Sequence, residues 1–140
     1  MLLAAQSFCD KMNAKNVRYT HYDAEENRHE CIRVSFNGDH GNTIALTFFF
    51  DEDGTTVDIK VFTIAKVPDA KLMDMYVLLN DLNCEYRWVK FYLDSDNEVT
   101  VSGDAVVDPP TAGEELFELM YRYLGIIDDI YPRLMKVIWG

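Results

Sequence analysis

Basic residues are scarce in this chain. Its 140 residues hold 13 lysines and arginines against 24 aspartates and glutamates, a formal net charge of −11. Nucleic acid and anionic membrane are gripped by clustered Lys and Arg, so this balance excludes binding either through a basic surface. It leaves room for a basic or neutral protein partner, and it also serves solubility by itself. Cysteine is scarce as well: Cys9, Cys31 and Cys84 are odd in number and far apart. No C-x-x-C pair or zinc spacing exists, which points to free thiols in a reducing cytosol rather than a disulfide framework or a metal site. No apolar run approaches the roughly 18 residues of a membrane span. The opening MLLAAQSFCDK has no basic stretch ahead of its apolar residues, so it does not read as a signal peptide, and the expected location is the cytoplasm.

Catalytic motifs are missing too. There is no G-x-G-x-x-G, no G-x-x-x-x-G-K-[ST] and no G-x-S-x-G. The acidic turns beginning at Asp51 and Asp94 fail the calcium-loop pattern, because Phe62 and Ala105 fall where the twelfth-position glutamate should be. They read as hairpin turns, where Asp, Asn and Gly belong for backbone reasons. His21, His29 and His40 have no converging metal spacing, although His21 and His29 could face each other across neighbouring strands. The carboxylate pairs Glu114/Glu115 and Asp128/Asp129 are consecutive and cannot oppose each other as acid–base hydrolysis requires. The expectation is no enzyme, no cofactor and no metal.

What is present is a clear succession of periodicities, consistent with one domain over residues 1–140. Hydrophobic content of 49% and charged content of 26% are ordinary for a globular chain, so one core needs no staples. Leu2, Ala5, Phe8, Cys9 and Met12 make one helical stripe over Leu2–Ala14. Period two then takes over in a short strand from Val17 to Tyr22, in Cys31–Phe36, in Thr43–Phe50 and in Val57–Ile64, joined by polar turns as an antiparallel meander. Pro68 opens a second helix with Leu72, Met75, Tyr76, Leu79 and Leu82 on its buried stripe. Arg87–Leu93 and Glu98–Ser102 form a hairpin, and Ala105–Pro110 connects to the last helix. There Thr111 and Glu114 have capping-box spacing, and Pro132 predicts a kink or break. The fold class is α+β, an antiparallel sheet of meander plus hairpin with helices packed on it, in the order α-β-β-β-β-α-β-β-α.

The strands are apolar on both sides. In RWVKFYL, Trp88 and Tyr92 alternate with Val89, Phe91 and Leu93; Phe49 opposes Phe48 and Phe50; Phe62 opposes Val61. If the helices cover one face, Phe49, Phe62, Trp88 and Tyr92 remain on the other as a candidate interaction surface. Asn80 and Asn83, three apart at the end of the second helix, are suited to fix the helix-to-strand corner through their amides.

LLNDLN followed by RWVKFYLDSDNEV, with VPDAKL upstream and IYPRLMK near the end, resembles the YbjN family of small bacterial proteins. The likeness covers roughly residues 57–139, with Asn80, Asn83, Trp88, Phe91, Tyr131 and Pro132 in the family's positions. It implies a fold similar to type III secretion chaperones, commonly homodimers that hold protein segments, in a family labelled as sensory transduction regulators and without catalytic residues. The expected function is therefore a non-enzymatic, chaperone-like homodimer binding a protein partner. The alternative is a small-ligand sensor with a pocket between the C-terminal helix and the sheet, lined by Tyr76, Trp88, Tyr123 and Tyr131.

Overall fold

A computed structural model covers residues 1–140. Helix α1 (Leu3–Ala14) leads into strands β1 (Thr20–Tyr22), β2 (Glu30–Asn37), β3 (Thr43–Phe50) and β4 (Thr56–Lys66). Helix α2 (Leu72–Glu85), strands β5 (Lys90–Leu93) and β6 (Glu98–Val106) and helix α3 (Ala112–Trp139) complete the chain. The strands form a single antiparallel sheet in the order β1-β2-β3-β4-β6-β5. This is the α+β architecture that the periodicities describe, with the second hairpin folded back so that β6 joins β4 and β5 lies at the edge.

One face of the sheet carries the core. Ile32, Val34, Ile44, Leu46, Phe48, Phe50, Val57, Ile59, Val99 and Val101 are all buried there with Met75, Leu79 and Leu82 of α2 and the inner stripes of α1 and α3. Each fully buried large apolar side chain contributes about 1.5–3 kcal/mol. Phe8 of α1 sits on Phe48 of β3 with ring centroids 4.6 Å apart. Helices α1 and α3 come very close at Gly113, whose N–H donates to Ser7 Oγ at 2.9 Å. A Cβ at Gly113 would collide with the Ser7 carbonyl, so only glycine fits. Lys11 reaches Glu114 at 2.9 Å across the same seam.

Several local expectations are corrected. Strand β1 begins at Thr20 rather than Val17, because Val17 N–H still closes the helix exit on the Met12 carbonyl at 2.9 Å. A 3₁₀ turn, Asp69–Lys71, separates Pro68 from α2, and Tyr76 lies half exposed rather than on the buried stripe. Thr111 and Glu114 make no capping box: Thr111 is not extended (φ −111°, ψ 4°), since a 3₁₀ turn feeds the helix, and Glu114 is engaged by Lys11. Helix α3 runs unbroken through Pro132. The lost backbone bond is outweighed by Ile127, Ile130, Leu134 and Ile138, buried on both sides of it, and by the Arg133–Glu85 fork at 2.6 and 3.0 Å. His21 and His29 do not face each other: His21 bonds the buried Glu30 carboxylate, whose other oxygen accepts from Leu2 N–H, and His29 lies 3.7 Å from Asp51.

The hairpin from α2 into β5 and β6 shows the largest departure. The strand starts at Lys90, not Arg87, because Trp88 adopts φ +76° and breaks the alternation. That left-handed backbone is unusual for a bulky residue, and its surroundings hold it. Tyr123 donates its hydroxyl to the Trp88 carbonyl at 2.9 Å, and a Cβ at Gly103 would collide with both groups. Burial pushes the Tyr123 phenol far above its ordinary range, with Asp104 and Asp58 adding to the shift, so it stays a donor.

Candidate interaction surface

Side chains that alternate with the core positions point to a face that no helix covers. The register sets them in rows. Cys31, Phe49, Asp58 and Asp104 follow one another across β2, β3, β4 and β6; Arg33, Thr47, Lys60, Ser102 and Lys90 form the next row. This face is mixed rather than uniformly apolar, in contrast to the expectation that both sides would be greasy. Cys31 and Thr47 are buried between their neighbours, and so are Thr100 and Ser102 nearer the β5 edge.

Beyond Val61 the two central strands part company. While β4 advances from Val61 to Ala65, β6 advances only from Val101 to Val99, and Thr63 takes φ +54° inside this bulge. Thr63 donates its hydroxyl to Glu98 at 2.6 Å and pins the distortion. A bulge re-aims nearby side chains, and here it leaves Phe62 50% exposed. Phe62 and Phe49 border an open groove of about 360 Å³ that is also lined by Asp58, Lys60, Asp104 and Arg28. Lys60 reaches Asp58 at 3.5 Å. Burial holds the Asp58 carboxyl above the usual aspartate range; Lys60 opposes the shift and Asp104, directly opposite across the strands, adds to it.

Of the four residues expected on this surface, the structure brings Phe49 and Phe62 together in the groove. Tyr92 is on the same face near the β5 edge, with Lys90 Nζ 5.9 Å from its ring. Trp88 is elsewhere. It is half exposed beside α3, where Arg122 lies 5.4 Å from its ring and Tyr121 and Ile126 border a shallow hollow. Asp58, Lys60 and Asp104 are not in the expected set: each alternates with core residues along its own strand, and only the β4–β6 register brings them together.

The corner residues behave differently from each other. Asn83 accepts from Phe91 N–H at 2.8 Å and donates to Phe91 O at 3.0 Å. Its amide thus takes the place of a neighbouring strand along the outer edge of β5. Asn80 is exposed and takes no part in the corner. The residues named for a ligand pocket under α3 do not converge: Tyr123 is in the core, Tyr76 is exposed on α2, and Tyr131 lies beside His40 at 6.2 Å between ring centroids. The space between α3 and the sheet is filled by core side chains.

No group of three or more His, Cys, Asp or Glu side chains is placed to hold a metal ion. Cys9 and Cys31 are buried, which raises both thiols and makes them poor nucleophiles; Cys84 is exposed, and none of the three is bridged. No helix is long and apolar enough to cross a membrane.

A family model described as "YbjN: Putative bacterial sensory transduction regulator" matches residues 20–135. Among solved structures, the crystal structure of YbjN from E. coli, described as "a putative transcription regulator", superposes with a TM-score of 0.60 at 11% identity, covering 93% of each chain. At that identity the likeness establishes the fold. No curated protein matches the chain.

Proposed function

The chain belongs to the YbjN family, and from that premise we propose that it is a non-enzymatic regulatory domain, a chaperone-like homodimer that binds a protein partner. The reading rests chiefly on the uncovered sheet face, with Phe62 half exposed and Phe49 partly exposed around one groove, since exposed apolar groups gathered beside polar ones are the usual mark of an interaction site. The sheet edges are less suited to strand addition. β1 has three residues and β5 four, and the outer edge of β5 is already occupied by the Asn83 amide. Three unbridged cysteines accord with work in the cytoplasm.

A separate surface supports the dimer. Met73, Tyr76 and Val77, spaced as neighbours on α2, are 74%, 50% and 63% exposed. We assign this stripe to the second copy, leaving the sheet face to the partner. Light scattering on the purified protein tests the arrangement. The expected mass is twice the 16.2 kDa of one chain, reduced to the single-chain mass by Val77→Glu and unchanged by Phe62→Ser. A single-chain mass for the wild type at high micromolar concentration removes the dimer.

A further inference from the structure

Two aspartates facing each other across neighbouring strands are an odd feature beside a row whose charges, Arg33, Lys60 and Lys90, are all positive. Asp58 and Asp104 are direct partners in the β4–β6 register. Like charges so placed destabilise a sheet, and only Asp58 has a cation within ion-pair distance, Lys60 at 3.5 Å. Asp104 is exposed with no such partner. The other cation at the groove, Arg28, is committed elsewhere: it donates to the Asp23 carbonyl at 2.6 Å and lies 5.4 Å from the Tyr22 ring. Beside the aspartates, lining the same groove, are the rings of Phe49, the register partner of Asp58, and Phe62, which suit an aliphatic stem or the flat face of a guanidinium.

We propose that this groove receives a lysine or arginine side chain from a basic partner segment, its stem between Phe49 and Phe62 and its cationic head on Asp58 and Asp104. This rests on the reading above that the bare sheet face docks protein, and it adds the chemistry of what docks. The incoming charge relieves the opposition between the two carboxylates, which Lys60 and, from the neighbouring β5, Lys90 offset only in part. The chain's net charge of −11 acts in the same direction, drawing basic segments toward the molecule before contact.

The test is fluorescence anisotropy with a short labelled peptide alternating arginine with alanine, beside a twin carrying citrulline, the neutral isostere. The arginine peptide is expected to bind and to weaken as salt rises, while the citrulline twin does not bind. Asp104→Asn should cut the affinity about tenfold, the scale of one charge-assisted hydrogen bond. The same change should raise Tm by roughly 1–4 °C, because it removes the cross-strand repulsion. Loss of binding together with a more stable fold is a signature that a merely structural aspartate cannot produce. Asp81→Asn, an exposed acid on α2, should change nothing, and an equal loss there marks diffuse charge attraction and overturns the proposal. Citrulline binding as tightly as arginine also overturns it but leaves the sheet-face reading standing. If neither peptide binds and Phe62→Ser leaves capture of proteins from lysate unaltered, both readings fall.

Discussion

The two faces of this sheet are made from alternate residues of the same strands, yet they follow opposite rules. On the helix side, Phe48, Ile59 and Val101 are buried against α1 and α3, and the one buried charge, Glu30, has both carboxylate oxygens bonded, because an unpaired polar group there would be costly. On the bare side, aromatic rings stand next to aspartates and lysines, with like charges left opposed at Asp58 and Asp104. The first face is shaped by stability alone. The second tolerates an arrangement that stability disfavours, which is why it is the better place to look for function.

That contrast can be sharpened by perturbing each side in turn. The largest effect belongs to the helix side. Phe48→Ala removes a fully buried ring from beneath Phe8 and should destabilise the fold by about 3–5 kcal/mol, read from urea denaturation. An intermediate effect belongs to the corner where the two regimes meet. Asn83→Ala strips the Phe91 N–H and carbonyl of their partners and should cost about 1–3 kcal/mol, with β5 showing the faster amide hydrogen exchange that a loosened edge implies.

The smallest effect has the opposite sign. Asp58 holds its proton more tightly in the folded chain than unfolded, first through burial and then through Asp104. Its contribution to stability is therefore present at acid pH and declines as pH rises from the unfolded aspartate value through the raised folded one. Asp58→Asn should stabilise the protein by about 0.2–1 kcal/mol at neutral pH, and the gain should shrink on acidification, as Tm measured against pH for both proteins will show. A loss of stability at neutral pH would mean that the Lys60 ion pair outweighs burial, and the bare face would then be no less optimised than the covered one.

Much of this was legible from local pattern. Thr43–Phe50 reads as a strand because its apolar residues alternate without interruption, and the structure gives the same bounds. The helices followed from their stripes in the same way, and the amide of Asn83 was recognisable as a corner residue from its place at the end of α2. Trp88 departs from the alternation for a specific reason. Alternation assumes extended backbone, and a single φ of +76°, held by the Tyr123 hydroxyl and permitted by Gly103, moves the indole from the sheet face to the side of α3. Tyr123 and Gly103 are distant in sequence, so no window around Trp88 contains the cause. Pro132 failed as a helix breaker on similar grounds, since its neighbours' burial was invisible to a rule about one residue.

The sequence by itself determined which segments are helix and which strand, that the chain is strongly acidic, and which side chains of each strand share a face, because periodicity and charge are properties of neighbours along the chain. The tertiary structure decided which face stays bare, that β6 rather than β5 lies against β4, and hence that Asp58 meets Asp104 beside two partly exposed rings. Those outcomes depend on strand order and on a bulge between strands far apart in sequence, where the free energy of packing acts on contacts that no local pattern encodes.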